Sequence, residues 1–314
     1  MTTRHARLLE AGLVLLIIAA GGLSLAMGSS VTDGFILVYS RLPRLLALVL
    51  SGAGVSLAGL VMQKISRNPF ASGETAGTMD FAALGYVLAL GVFRAESVMA
   101  RLSLAFIGAM IGTSIFFLLL RRLGRNSVLH VPLLGIMLGF LVNGLTQILA
   151  YRFDLLQGLS SWMFADFSLV IAGRYEFLFL VVPVVAGTWI MGHHLTIAGL
   201  GEDMATNLGS NFRLTRNLGL VVVSIMSALV VVIAGRIPFL GLIVPNLILR
   251  GVSDNVRAVL PLTALSGAVL LLISDISGRL IIQPYEIPVG LTMGVVGGGV
   301  FLVMLSRWRG RQYG

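Results

Sequence analysis

Apolar stretches recur along the whole chain with short polar breaks between them, near residues 8–27, 42–63, 76–92, 99–120, 131–150, 176–194, 217–235, 238–250, 259–278 and 287–306. Most approach the roughly 20 apolar residues that a membrane-crossing helix needs. Lipid cannot satisfy backbone N–H and C=O groups, so repeated spans of this kind imply a helical bundle. The pattern predicts an all-α integral membrane protein of about ten transmembrane helices, organised as one domain over residues 1–314. The stretch from Leu8 to Met27 is too long for a signal-peptide core and lacks a convincing cleavage site, so it reads as a retained helix.

Composition agrees: 57% of residues are hydrophobic and 11% charged. The short loops hold no Gly-x-x-x-x-Gly-Lys-Ser/Thr sequence to cradle nucleotide phosphates, so any use of ATP falls to another chain. Absence of cysteine excludes disulfides and thiolate metal sites. The net charge of +9 reads as basic loops orienting a bundle rather than as a nucleic-acid footprint. With the N-terminus in the cytoplasm, an even number of spans returns the C-terminus there. Fourteen arginines and lysines then fall on the cytoplasmic side and eight, Arg236 among them, on the other, which favours this orientation.

A short internal match runs through the chain. Ala58-Gly59 is followed by Asn68-Pro69, and Ala234-Gly235 by Pro245-Asn246, on spans that point in opposite directions. Inverted repeats of this kind occur in transporters built from two half-units around a midplane site. Gly52, Gly54, Ser56 and Ala58 form one small-residue run, and Gly290, Gly294 and Gly298 recur at intervals of four, spacing that lets helix backbones approach.

Arg41 and Arg44, in Ser40-Arg41-Leu42-Pro43-Arg44, emerge on the outer face against the local positive-inside trend, which suggests that they serve a partner. Arg94, Arg101 and Arg152 are better read as anchors to lipid phosphates. The longest polar interruption, His193 to Asn217, centres on Gly201-Glu202-Asp203-Met204-Ala205-Thr206-Asn207-Leu208-Gly209. Glu202 and Asp203 suit the N-terminus of a short helix and Gly209 suits its end. Such a helix is either a handle for a partner or a solvated connector. Glu74 reads as lying at the cytoplasmic start of the third helix, and Asp80 as an internal hydrogen-bonded carboxylate. His193-His194 point different ways on a helix and do not suggest a metal site. Methionines such as Met62, Met137, Met226 and Met293 read as packing filler, with an adaptable path as the other possibility.

Taken in order, several of these runs resemble the iron-siderophore, haem and vitamin B12 permeases of bacterial ABC importers. They are Arg41-Leu42-Pro43-Arg44, Asn68-Pro69-Phe70-Ala71, Gly201-Glu202 through Leu208-Gly209, Gly235-Arg236-Ile237-Pro238-Phe239-Leu240-Gly241 through Pro245-Asn246, and Glu286-Ile287-Pro288-Val289-Gly290. The resemblance implies an inner-membrane permease with both termini cytoplasmic, carrying a ferric siderophore without covalent chemistry of its own. It binds no cofactor; ATP belongs to two partner ATPases. A second permease, in some relatives a different chain, and a periplasmic binding protein complete the assembly.

The resemblance also assigns roles. Arg41, Arg44 and Arg279 would grip glutamates of the binding protein, for which the fork of a guanidinium is suited; Asp275, one turn before Arg279, is a competing partner. Gly201, Glu202, Asp203, Ala205, Leu208 and Gly209 would form the coupling helix that fits a groove on the ATPase. Val128 and Leu129 fall where the family has its cytoplasmic gate and would make an apolar constriction. Where the family commonly has Pro-His, this chain has Pro245-Asn246. The stretch from Asn68 to Asp80, together with Pro245-Asn246, looks most like permeases for catecholate siderophores. The competing reading is an ion-coupled secondary transporter using Asp80 or Asp275.

Overall fold

The computed structural model describes residues 3–27, 34–123, 130–157, 164–283 and 285–309, and within them every regular element is helical. In chain order these are α1 (Thr3–Ala26), α2 (Gly34–Ser66), α3 (Thr78–Gly91), α4 (Val98–Leu123), α5 (His130–Arg152), α6 (Val181–Ala198), α7 (Glu202–Asn207), α8 (Phe212–Ile233), α9 (Leu240–Gly251), α10 (Val256–Ile281) and α11 (Val289–Arg309). Among the described residues, seven of these are long and apolar enough to cross a membrane: α1, α2, α4, α5, α6 with its preceding turn, α8 and α10. Three shorter apolar helices, α3, α9 and Val289–Met304 within α11, make up the remainder of the expected spans.

Helix α2 is the centre of the bundle. It begins at Gly34 rather than near residue 42, because a π-helical turn over Leu37–Arg41 runs straight into Leu42–Ser66. Pro43 follows the π-helical turn inside this continuous helix and brings no N–H to bond the turn before it. Packed around α2 are α10, α8, α9 and α6, with α3, α4 and α5 grouped beyond α8 and α1 lying along α10. Leu15, Leu16 and Ile18 on α1 are exposed, as a lipid-facing helix requires.

The small-residue run of α2 is where backbones meet. A Cβ on Gly52 would lie 2.6 Å from the Gly267 carbonyl oxygen of α10, and one on Gly59 would collide with the backbone of Gly241 in α9. The repeat in α11 is used less evenly. Gly290 is pressed against the Phe164 backbone, whereas Gly294 and Gly298 have ordinary clearance and Gly297 makes the close approach, to Phe239. Met62, Met79, Met226 and Met293 are buried in the core, and Met137 is exposed.

Side chains cap the helices that follow the loops. Asn211 accepts from the N–H of Leu214 at the start of α8 (3.0 Å), and Asn255 from that of Arg257 at the start of α10 (3.1 Å). The hydroxyl of Thr196 accepts the N–H of Val256 at 2.9 Å and ties α6 to α10.

Candidate functional site

Three polar centres interrupt this apolar bundle. The first is a rim where the start of α2, the end of α1 and the end of α10 come together. Arg44 donates through Nε and Nη2 to Oδ1 of Asp275 (3.1 and 2.7 Å) and through Nη1 to Oε2 of Glu286 (2.6 Å). The other oxygen of Asp275 pairs with Arg279, which also donates to the carbonyl and hydroxyl of Ser24 (3.2 and 3.3 Å). Arg41 donates to the Leu25 carbonyl at 2.7 Å. The Asp275 side chain is wholly buried and Glu286 is 42% exposed, so the two carboxylates flanking Arg44 occupy very different surroundings.

All three arginines expected to dock a partner therefore gather at one rim, and all three are already engaged inside the chain, Arg44 and Arg279 by carboxylates and Arg41 by the Leu25 carbonyl. The Arg279–Asp275 pair was visible as an i, i+4 spacing. Arg44–Asp275 was not, because 231 residues separate the partners.

The second centre joins the beginnings of the two half-length helices. Asp80, in the first turn of α3, pairs with Arg236 in the loop before α9. Glu74 accepts the N–H of Phe239 at 2.7 Å, immediately before α9. Asn143 of α5, with its amide oxygen facing Arg236, accepts from Nη2 and Nη1 at 3.1 and 3.3 Å. Asp80 is hydrogen-bonded inside the bundle as expected. Arg236, expected on an outer loop, turns inward to meet it, and Glu74 belongs to this junction rather than to a helix start at the surface.

Below the junction the two halves of the sequence match touch each other. Asn246 donates to the Pro69 carbonyl at 2.5 Å and to the Leu242 carbonyl at 2.8 Å, and Gln63 donates to the same Leu242 carbonyl at 3.2 Å. Asn68 accepts the N–H of Phe70 at 2.8 Å, which turns the chain away from α2. An amide at position 246 supplies two donors to fixed carbonyls in a buried seam, where an unpaired polar group is costly.

The third centre is α7. Gly201 precedes it with φ 112° and Gly209 follows it with φ 74°, backbone that side-chain-bearing residues rarely adopt. Glu202 and Asp203 lie in its first turn, where the helix dipole favours them. Ala205 is buried against Ala198 and Phe212, while Met204 and Leu208 are exposed. His194 approaches Ser210 at 3.3 Å and anchors the linker behind the helix. The short capped helix is thus present, with an apolar outer edge that its sequence did not advertise. Val128 and Leu129 lie outside the described residues.

A model of the FecCD transport family matches residues 11–307. The petrobactin import system permease protein YclN of Bacillus subtilis is 45% identical over 271 residues, 86% of each chain. The ferric-anguibactin transport system permease protein FatD of Vibrio anguillarum is 37% identical over 271 residues, again 86% of each chain. Among solved structures, one described as an inward-facing metal-chelate type ABC transporter superposes with a TM-score of 0.82 at 27% identity, over 96% of this chain and 99% of that one.

Proposed function

The chain belongs to the FecCD transport family, and from that premise we propose that it is the permease subunit of an ATP-driven importer that brings a ferric siderophore across the bacterial inner membrane. The observation that carries the reading is the family match over nearly the whole chain, joined to permease relatives named for petrobactin and anguibactin. The detail of a catecholate-type chelate rests on the run from Asn68 to Asp80 together with Pro245-Asn246.

In this reading the three short apolar helices complete ten crossings, with both termini in the cytoplasm. At 1.5 Å per residue, α3 and α9 reach roughly 21 and 18 Å, each short of a hydrocarbon core of about 30 Å. Their shared junction of Glu74, Asp80 and Arg236 then lies inside the bilayer, at the centre of an inverted repeat of α2–α3 and α8–α9. Discontinuous helices meeting within the membrane are a device of transporters that rock two halves about a central region.

A second permease, two ATPases that bind and hydrolyse ATP, and a periplasmic binding protein complete the assembly. The rim of Arg41, Arg44 and Arg279 receives the binding protein, and α7, through Met204 and Leu208 beside Gly201, Glu202, Asp203, Ala205 and Gly209, takes force from the ATPase. An ion-coupled carrier has less support, since both of its candidate carboxylates, Asp80 and Asp275, are matched by arginines.

The test is uptake of radioiron-labelled siderophores by cells with and without the gene for this chain, complemented by the wild type and by Arg41→Glu. Loss of uptake of at least one ferric siderophore without the gene supports the reading, and unchanged uptake across hydroxamate, carboxylate and catecholate classes overturns it. Arg41→Glu separates docking from transport, because it leaves the Arg44–Asp275–Arg279 cluster in place. Full uptake by that variant removes Arg41 from the docking surface.

A further inference from the structure

Beside α7 the ends of α2 and α9 enclose an open cavity of about 580 Å³ that the coupling role of α7 does not use. Its wall carries Lys64, Arg67 and Arg250, three cations against the single carboxylate of Asp254, with Gln63 and Asn246 deeper inside. We propose that this cavity is a second socket for the ATPase and receives an acidic segment of that subunit; the proposal rests on the permease reading above.

Charge is the first reason. Among the described residues Lys64 is held only by Asp254, at 3.2 Å from Oδ1 and 3.2 Å from the backbone carbonyl, and the Asp254 side chain is 89% exposed. An ion pair open to water on one side contributes little, so an incoming carboxylate can replace it at small cost. The second reason is an unused acceptor. Gln63 is 4% exposed, its amide nitrogen is committed to Leu242, and its Oε1 has no hydrogen-bond partner among the described residues. A peptide segment brings both carboxylates for the cations and backbone N–H groups for this oxygen, whereas an inorganic anion brings only the former.

Position is the third reason. Gly199, directly before α7, lies in the cavity wall, and a Cβ on Gly201 would fall 2.7 Å from a guanidinium nitrogen of Arg67. The socket therefore adjoins the loop that leads into α7. A volume of this size lies within the range of about 300–1,000 Å³ typical of ligand pockets. Charge complementarity of this kind sets register and association rate more than raw affinity, and would orient the ATPase while α7 bears the load.

Lys64 is the only lysine in the chain, which makes the test specific. In the purified permease–ATPase complex, carbodiimide cross-linking followed by peptide mass spectrometry should join Lys64 to an aspartate or glutamate of the ATPase. Cross-links from Lys64 to this chain alone overturn the socket. In parallel, Arg67→Gln with Arg250→Gln should lower co-purified ATPase roughly tenfold at physiological salt, while Asp254→Asn should leave it unchanged or raise it, with all variants eluting as single species. Full retention of ATPase by the double variant, or loss only of binding to phosphatidylglycerol vesicles, also overturns it. If the wild-type chain retains no ATPase, the permease reading has failed before the socket is tested.

Discussion

Asp275 and Glu286 grip the same guanidinium at nearly the same distance, 2.7 and 2.6 Å, yet one is buried and the other 42% exposed. Replacing each by its amide removes one negative charge with almost no change in volume, so the pair isolates the effect of surroundings. Coulomb attraction at these separations is about 6 kcal/mol for an effective dielectric of about 20 and about 1.6 kcal/mol in water. Desolvation and side-chain entropy trim both values. Asp275→Asn, which removes the buried carboxylate shared by two arginines, is expected to cost about 3–5 kcal/mol, the usual penalty for breaking a buried pair from one side. Glu286→Gln is expected to cost under about 1 kcal/mol, as exposed pairs do. Denaturant unfolding of the detergent-purified chain measures both. Equal losses would refute the reasoning, because burial would then have no bearing on what the rim cluster contributes.

Three further outcomes follow from the other centres. Arg236→Met or Asp80→Asn alone should destabilise the bundle by about 3–5 kcal/mol, while the two together should recover at least half of the loss, since no unpaired charge remains; a strictly additive double variant in the same unfolding assay contradicts the pairing. Gly59→Leu should abolish recovery of folded protein on size-exclusion chromatography, because the new side chain must displace the Gly241 backbone, whereas Gly144→Ala, with open space around it, should be recovered normally. Met204→Glu with Leu208→Glu should leave the monomer's unfolding midpoint unchanged, as both residues are exposed, yet release the ATPase from the purified complex; retention of the ATPase would exclude this edge as the contact.

Hydropathy made the long helices legible, since each carries its own signal over some twenty residues. The start of α2 was missed because a π-helical turn leaves no apolar gap to read, and Tyr39, Ser40 and Arg41 look like loop. Position 236 was misplaced for a related reason: an arginine after an apolar run reads as a membrane boundary, and only a carboxylate 156 residues away reveals that the chain has turned inside the bundle. Local spacing revealed Arg279–Asp275, and nothing local points to Arg44–Asp275. The socket beside α7 was illegible because Lys64, Arg67 and Arg250 appear in sequence as ordinary cytoplasmic flanks.

Two ends of the short sequence match, Asn68-Pro69 and Pro245-Asn246, meet in the seam between α2 and α9. Pro245 lies inside α9 and has no N–H, so the carbonyl four residues earlier, that of Gly241, is left without its helical donor. That is the carbonyl against which Gly59 of α2 is pressed, with no side chain between them. One turn on, Asn246 and Gln63 converge on the Leu242 carbonyl, and Asn246 reaches across to Pro69 in the loop after α2. A proline that loosens the helix, a glycine that admits the partner backbone and amides that cross-stitch the two segments are thus parts of one contact. Gly59 and Pro69 on one side, and Gly241, Pro245 and Asn246 on the other, make up this contact. A longer side chain at 59 or loss of the amide at 246 would break this contact between α2 and α9.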